Sequence, residues 1–209
     1  MKHEWRKKEK ATYLPKNKPE TITLPPQKYF MIEGKGNPND AFFTEYIGVL
    51  YSLSYGVKMS PKSGIAPDDY FEYTVYPLEG IWDISDEAKE NYDGKLDKNS
   101  LTFNLMIRQP DFVIEEFAKE IIEKIKKKKP HKLLDEVKFG IIEEGKCVQM
   151  MHLGSYDNEP ESFQLMQEFC DKNNLKRISE NHKEIYLTDA SKVAPEKLKT
   201  VLRFKIEKQ

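Results

Sequence analysis

The sequence predicts an α+β fold built from two similar halves. Three segments have the periodicity of amphipathic helices, and eight short segments have the composition of strands, with turn residues between them. Residues 24–36 also overlay residues 142–154 without a gap at a shift of 118, and the helices follow at nearly that shift. Each half therefore reads as hairpin, loop, helix and hairpin, which predicts a pseudo-twofold domain with a ligand pocket at its interface.

The three predicted helices each carry an apolar stripe and end signals. In the clearest, a run of lysines precedes Pro130, and lysines are favoured at the carboxyl end of a helix. In the third, Asn158 and Glu161 have the spacing of a capping box. The expected starts and ends, in chain order, are Asp40 and Gly56, Asp111 and Lys129, and Asn158 and Asn173.

The predicted strands are short apolar or alternating segments bounded by Gly, Pro, Asn or Asp. They are Thr21 to Leu24, Lys28 to Gly34, Tyr70 to Tyr76, Leu101 to Gln109, Val137 to Ile142, Cys147 to Leu153, Lys183 to Thr188 and Thr200 to Ile206. Pro77 indicates a bend or a sheet edge.

Composition indicates a globular cytoplasmic protein. Of its 209 residues 38% are hydrophobic and 33% charged, and Lys+Arg 34 nearly balances Asp+Glu 35, so no strong field attracts nucleic acid. Neither a signal peptide nor an apolar run long enough to cross a bilayer is present. Cys147 and Cys170 match no metal or redox spacing and are expected to be reduced core thiols.

Glu184 is the most informative candidate for chemistry. The period of two in a strand places His182, Glu184 and Tyr186 on one face, and Ile185 and Leu187 on the other. If the first face is solvated, Glu184 is an ordinary surface acid, and periodicity alone does not decide between the faces. If Glu184 points inward, desolvation raises the pKa of its carboxyl group, which then suits a cation site or a general acid/base.

Other candidates are isolated residues. His152 and His182 lie in separate strands without a third identified ligand, so the sequence predicts ordinary hydrogen-bonded histidines, no metal and no cofactor. Residues 71–82 are rich in aromatic side chains, including Tyr73, Tyr76 and Trp82. Core packing explains most such clusters, but flat rings also suit planar or cationic ligands, so some of these residues are candidates to line a cavity.

Several segments together resemble the GyrI-like family. They occur in the expected order from about Pro26 to the carboxyl terminus, which makes the resemblance more specific than any single motif. The segments are Tyr76-Pro77-Leu78-Glu79-Gly80-Ile81-Trp82, Gln109 to Val113, His152 to Asp157, His182 to Asp189 and Pro195 to Arg203.

The resemblance implies two strand-helix-strand-strand modules of the SHS2 type around a central cavity, with an antiparallel sheet and helices on one side. It also implies that Glu184 faces this cavity and pairs with cationic aromatic ligands. The expected organisation is one domain over 1–209, with a basic extension 1–20, a first module 21–109, a connecting helix 111–129 and a second module 137–209. The extension is too short for a helix-turn-helix domain, so no direct nucleic-acid partner is expected.

Three functions follow from the resemblance. The first is binding of flat aromatic or cationic xenobiotics without chemistry. The second is hydrolysis of the strained cyclopropane in cyclopropyl-pyrroloindole genotoxins, with Glu184 activating water and Tyr73 or Tyr156 as proton donor. The third is action on a protein partner such as DNA gyrase. The fold does not decide between them. The predicted site residues are Glu184 and Tyr156 for catalysis, and Glu184, Trp82, Tyr73, Tyr76, Tyr186, Tyr156 and His152 for ligand binding.

Overall fold

The computed structural model describes residues 2–208, which contain six α-helices and nine β-strands. The helices are α1 Trp5–Lys8, α2 Lys10–Tyr13, α3 Ala41–Lys58, α4 Asp86–Glu90, α5 Glu115–Lys128 and α6 Glu159–Lys172. The strands are β1 Glu20–Leu24, β2 Gln27–Lys35, β3 Leu78–Ile84, β4 Leu101–Gln109, β5 Lys138–Ile142, β6 Gly145–Leu153, β7 Leu175–Arg177, β8 His182–Tyr186 and β9 Lys199–Lys208.

The chain forms two compact units. The first contains Gln27–Ile142 together with the first described residues, up to His3. The second contains Glu4–Pro26 and the chain from Glu143 onward. Consequently β1, which the sequence assigns to the first module, pairs with β6 of the second unit.

The first unit is a four-stranded antiparallel sheet with α3 packed on β2 and β4. Its strands are ordered β3-β4-β2-β5. Helices α3 and α5 pack closely at Gly56, where an added Cβ atom would lie 3.1 Å from the Cγ2 atom of Ile121. Gly56 was expected to end α3, but the helix continues to Lys58, so this glycine permits the close approach of α5 instead.

The second unit has the strand order β1-β6-β9-β8, and β7 also pairs with β9. Helix α6 packs on β6 and β7. The core between them is formed by apolar side chains that are almost fully buried: Val148, Met150, Met166, Cys170, Leu175, Leu202, Phe204 and Ile206. Burial of these groups is the main source of stability in this unit.

Both units have the same connectivity, which confirms the predicted α+β fold of duplicated strand-helix-strand-strand modules. The first unit contains β2-α3-β3-β4 and the second contains β6-α6-β8-β9, with the short β7 between α6 and β8. In each, the last of these three strands pairs with both the first and the second. Strands β2 and β6 start 118 residues apart, and each is followed by a glycine with positive φ, Gly36 at 114° and Gly154 at 122°. Through these pairings Glu184 corresponds to Gly80.

Two local predictions were wrong. Tyr70 to Tyr76 is not a strand, since its single bridge joins Tyr73 to His3. Strand β3 begins directly after Pro77, whose fixed φ and missing N–H fit a boundary position, and it pairs with β4. Asn158 precedes α6 but makes no capping hydrogen bond through its side chain.

The two cysteines are core thiols, as the sequence predicts. Cys147 and Cys170 are buried free thiols, and burial raises the pKa of Cys147 to about 11. Within residues 2–208, no helix combines the length and apolar character required to cross a bilayer.

Candidate functional site

Strand β8 presents different chemistry on its two faces. His182, Glu184 and Tyr186 alternate with Lys183 and Ile185, as the period of two requires. Glu184 lies opposite Leu202 of β9, a member of the core beneath α6, and is only 8% exposed. Glu184 is therefore buried on the side of the sheet that α6 covers, and the alternative of an ordinary surface acid does not hold.

A second carboxylate approaches Glu184 from the first residue of α6. His182 Nε2 lies 2.9 Å from Glu184 Oε1. The carboxylate of Glu159 completes a group in which one ligand atom from each residue lies within 4.8 Å of the others. We refer to Glu159, His182 and Glu184 as the Glu–His–Glu cluster.

The two carboxylates of the cluster lie beside His182 but have no lysine or arginine counterpart among the described residues. Oε1 of Glu159 is buried and accepts no hydrogen bond. Burial, followed by the charges of Glu184 and Asp157, raises the pKa of Glu159 far above its usual range. This shift favours the protonated, neutral form of Glu159.

Aromatic side chains border the cluster. The ring of Phe163, one turn along α6 from Glu159, meets the His182 ring edge-on at 4.6 Å between centroids. Tyr156 is 37% exposed, and its ring lies edge-on to Tyr186 at 6.1 Å. Burial and the charge of Glu184 raise the pKa of Tyr156 to about 12, so its hydroxyl group remains a hydrogen-bond donor at neutral pH.

His152 holds the loop that carries these residues. Its Nε2 lies 2.9 Å from the carbonyl oxygen of Ser155, and its Nδ1 lies 2.9 Å from the Oγ of Ser162. A carbonyl only accepts, so Nε2 is protonated and Nδ1 accepts from the serine hydroxyl. These contacts join His152 to the residue before Tyr156 and to the first turn of α6, and its role in ligand binding stays a prediction.

On the opposite face of β8 a buried carboxylate has two cationic partners. Lys183 Nζ and Arg203 Nη1 each donate to Oε2 of Glu144 at 3.1 Å, and all three side chains are buried. Burial alone would raise the pKa of Glu144, but Lys183 and Arg203 outweigh it and lower the pKa. Glu144 is therefore part of a structural ion network, in contrast to the uncompensated carboxylates of the cluster.

Comparison with known proteins identifies the family. The sequence profile of the GyrI-like small molecule binding domain matches residues 17–207. The chain belongs to this family. A GyrI-like fold thus spans both units, which agrees with the resemblance seen in the sequence.

Solved structures give the same result. A hydrolase from Listeria innocua is 35% identical, with 98% of this chain and 100% of that chain aligned and a TM-score of 0.88. Another Listeria innocua protein described as a hydrolase is 36% identical, with 99% and 100% aligned and a TM-score of 0.89. The EcmrR C-terminal domain shares the GyrI-like fold at 11% identity, with 92% and 98% aligned and a TM-score of 0.56. No curated protein matches the chain.

The remaining predicted aromatic residues of this GyrI-like chain lie in the first unit. Tyr73 is buried, and its hydroxyl group donates to the carbonyl oxygen of Ser54 at 3.4 Å. The ring of Tyr76 contacts the guanidinium group of Arg108 at 4.7 Å. Trp82 belongs to a separate aromatic cluster with Phe42, Phe43, Tyr46 and Phe103. The role of Tyr73, Tyr76 and Trp82 in ligand binding stays a prediction.

Two open depressions lie away from the cluster. One of about 450 Å³ is lined by residues of the first unit, including Phe42 and Tyr46. The other, about 470 Å³, lies in the second unit beside Phe169 and Leu175. Neither is lined by the Glu–His–Glu cluster, and the predicted central pocket stays a prediction.

Glu159 was not among the residues predicted from the sequence. It lies between Asn158 and Glu161, whose spacing is typical of a capping box and indicates only a helix start. A clear signal exists, since the buried positions Ser162, Met166 and Cys170 continue backwards along α6 to Glu159 with spacings of three or four. A carboxylate on the buried stripe of an amphipathic helix is a functional candidate on that ground alone.

Proposed function

We propose that this protein binds flat aromatic cations and that Glu184 supplies the countercharge. The supporting observation is the buried carboxylate pair of Glu184 and Glu159, which has no Lys or Arg ion-pair partner among the described residues. Membership of the GyrI-like small-molecule-binding family supports a small ligand as partner.

Electrostatics favour a positive ligand here. Buried carboxylates lose hydration, so a cationic partner stabilises them. A large organic cation loses less hydration on burial than a small ammonium ion does. Tyr156, Tyr186 and Phe163 add ring faces and edges at the border of the cluster. Aromatic rings attract cations and stack on planar ligands, so charge and shape select the same class of molecule.

A fluorescence titration with ethidium, a flat aromatic cation, tests this proposal. Glu184→Gln should weaken binding at least tenfold, which corresponds to about 1.4 kcal/mol. Glu161→Gln is the matched control, because Glu161 is exposed on the first turn of the same helix and lies outside the cluster. Equal affinity of wild type and Glu184→Gln for ethidium would remove Glu184 from the binding site.

Hydrolysis of a cyclopropyl-pyrroloindole is the second candidate function. The two Listeria innocua relatives described as hydrolases favour it, and Glu184 and Tyr156 would supply the base and the acid. Glu184 accepts a proton from water as the water oxygen attacks the cyclopropane methylene carbon. The strained C–C bond breaks, its electron pair moves to the conjugated carbonyl oxygen, and Tyr156 donates a proton there. The net reaction is addition of one water molecule.

Mass spectrometry distinguishes this reaction from binding alone. Wild type should add one water molecule to the substrate faster than buffer does, and Glu184→Gln should lose this acceleration while circular dichroism shows an intact fold. Tyr156→Phe should reduce turnover more than it reduces binding, since it removes the proton donor and keeps the ring. Absence of acceleration by wild type would exclude this substrate class and leave the binding function.

A further inference from the structure

We propose that the Glu–His–Glu cluster is a site for one divalent transition-metal ion, held by a carboxylate oxygen of Glu159, a carboxylate oxygen of Glu184 and a ring nitrogen of His182. Neither the family match nor the similar structures indicate a metal, and the sequence alone predicts none. This inference goes beyond binding of an organic ligand and does not depend on it.

The ligand geometry supports a metal. His182 and Glu184 project from alternate positions of one strand, and Glu159 projects from the first residue of a fourteen-residue helix. A metal bound at about 2.0–2.2 Å separates neighbouring ligand atoms by about 3–3.5 Å. The 2.9 Å separation of His182 Nε2 and Glu184 Oε1 is already close to this value. All three ligand atoms lie within 4.8 Å of one another, so the third ligand is also near the distance that a shared metal requires.

An unsatisfied oxygen provides independent support. Glu159 is 8% exposed, and its Oε1 is buried without a hydrogen-bond partner among the described residues. Buried polar atoms of native proteins nearly always have a partner, and unsatisfied ones call for a specific explanation. Glu144 in the same unit shows the ordinary solution, with Lys183 and Arg203 at 3.1 Å. A cation between Glu159 and Glu184 would pair with these carboxylates as Lys183 and Arg203 pair with Glu144.

The ligand types favour Zn²⁺ over Mg²⁺ or Ca²⁺. Imidazole suits Zn²⁺ and neighbouring transition metals, whereas Mg²⁺ and Ca²⁺ prefer oxygen ligands alone. Three protein ligands with nitrogen and carboxylate donors are typical of zinc sites that retain a position for water or substrate. The edge of Phe163 against His182 also limits rotation of the imidazole ring, which keeps a ring nitrogen facing the carboxylates.

Calorimetric titration of the chelator-treated protein with ZnCl₂ tests the proposal. Wild type should bind one Zn²⁺ per chain, and Glu159→Gln and His182→Gln should each weaken binding at least tenfold. His131→Gln is the matched control, because His131 Nε2 lies 3.5 Å from Glu45 Oε2 in the first unit and forms no three-ligand group within residues 2–208. Its affinity for Zn²⁺ should equal that of wild type.

Cobalt spectroscopy provides a second readout that does not depend on affinity. Co²⁺ at this site should show visible d–d absorption without the near-ultraviolet thiolate band, since no cysteine belongs to the cluster. Glu159→Gln should change that spectrum. The proposal is overturned if wild type does not bind Zn²⁺, or if Glu159→Gln and His182→Gln bind it as wild type does.

These outcomes are separable from those of the ethidium experiment. Ethidium binding that depends on Glu184, without Zn²⁺ binding, would overturn the metal site and retain the aromatic-cation site. Zn²⁺ binding without ethidium binding would give the opposite result. If both ligands bind, Zn²⁺ should weaken ethidium binding in wild type, because both cations use the charge of Glu184.

Discussion

Replacement of Glu144 by glutamine tests the buried ion network behind the candidate site. Glutamine keeps the shape of the side chain but removes its charge from between Lys183 and Arg203, whose side chains are 4% and 1% exposed. Breaking a buried ion pair by removing one partner typically costs about 3–5 kcal/mol. Arg203 retains its hydrogen bonds to Gln149 and to the carbonyl oxygen of Thr12, so we expect the lower limit, about 3 kcal/mol.

Urea denaturation at pH 7 measures this loss. With a slope of about 2 kcal/mol per molar urea, the midpoint of unfolding should fall by about 1.5 M. Glu143→Gln is the control, because Glu143 is the exposed neighbour and its substitution should leave the midpoint unchanged. If Glu144→Gln lowers the free energy of unfolding by less than about 1 kcal/mol, this carboxylate does not provide the expected stabilisation of the two buried cations.

The same network predicts a pH dependence. Lys183 and Arg203 lower the pKa of Glu144 below its usual value of 4.5 despite burial. A depressed carboxyl pKa stabilises the folded state above the pKa of the unfolded chain, and this contribution disappears as pH falls through the folded pKa. The difference in unfolding free energy between wild type and Glu144→Gln should therefore be constant near neutrality and narrow below pH 4.5.

The remaining predictions concern the cluster and two glycines. The raised pKa of Glu159 means that the metal-free folded protein retains a proton that the unfolded chain loses above pH 4.5, so wild-type stability should fall by up to about 1.4 kcal/mol per pH unit there. Glu159→Gln should abolish this decrease in stability with pH. Urea denaturation at several pH values measures it, and the same pH dependence in both proteins would contradict the prediction. Gly154→Ala should destabilise by about 1–3 kcal/mol, because φ is 122°. Gly48→Ala should instead stabilise by about 1 kcal/mol, since its position inside α3 has open space for a methyl group; thermal melting checks both.

Most of the fold could be predicted because its signals are local. The apolar stripe that follows Asp111 and the run of lysines before Pro130 predicted α5. The overlay of residues 24–36 on 142–154 predicted the duplicated strands β2 and β6. Local signals failed where a tertiary contact decides the structure. A glycine such as Gly56 is typical of a helix end. Here Ile121 of α5 packs closely against it, and α3 continues to Lys58. Strand β7 has three residues, which is too short for a period to show.

The candidate site was predictable only along a single strand. The period of two placed His182, Glu184 and Tyr186 together, and the structure bears out that shared face. Glu159 comes from a helix more than twenty residues away in sequence, and no periodicity connects an acid on α6 with an acid on β8. Lys183 illustrates the same limit, because its partner Glu144 lies between β5 and β6 and is brought close only by sheet pairing.

The two units share one connectivity, but the Glu–His–Glu cluster belongs to the second unit. Through the strand pairings, His182 corresponds to Leu78 and Glu184 to Gly80, so the first unit repeats the frame without the charges. A buried, uncompensated carboxylate is destabilising, and sites of this kind commonly trade stability for activity. The first unit has no such carboxylate at the corresponding positions, Leu78 and Gly80. Sequence variation at those positions of the first unit therefore leaves the carboxylates of β8 and the first turn of α6 unchanged.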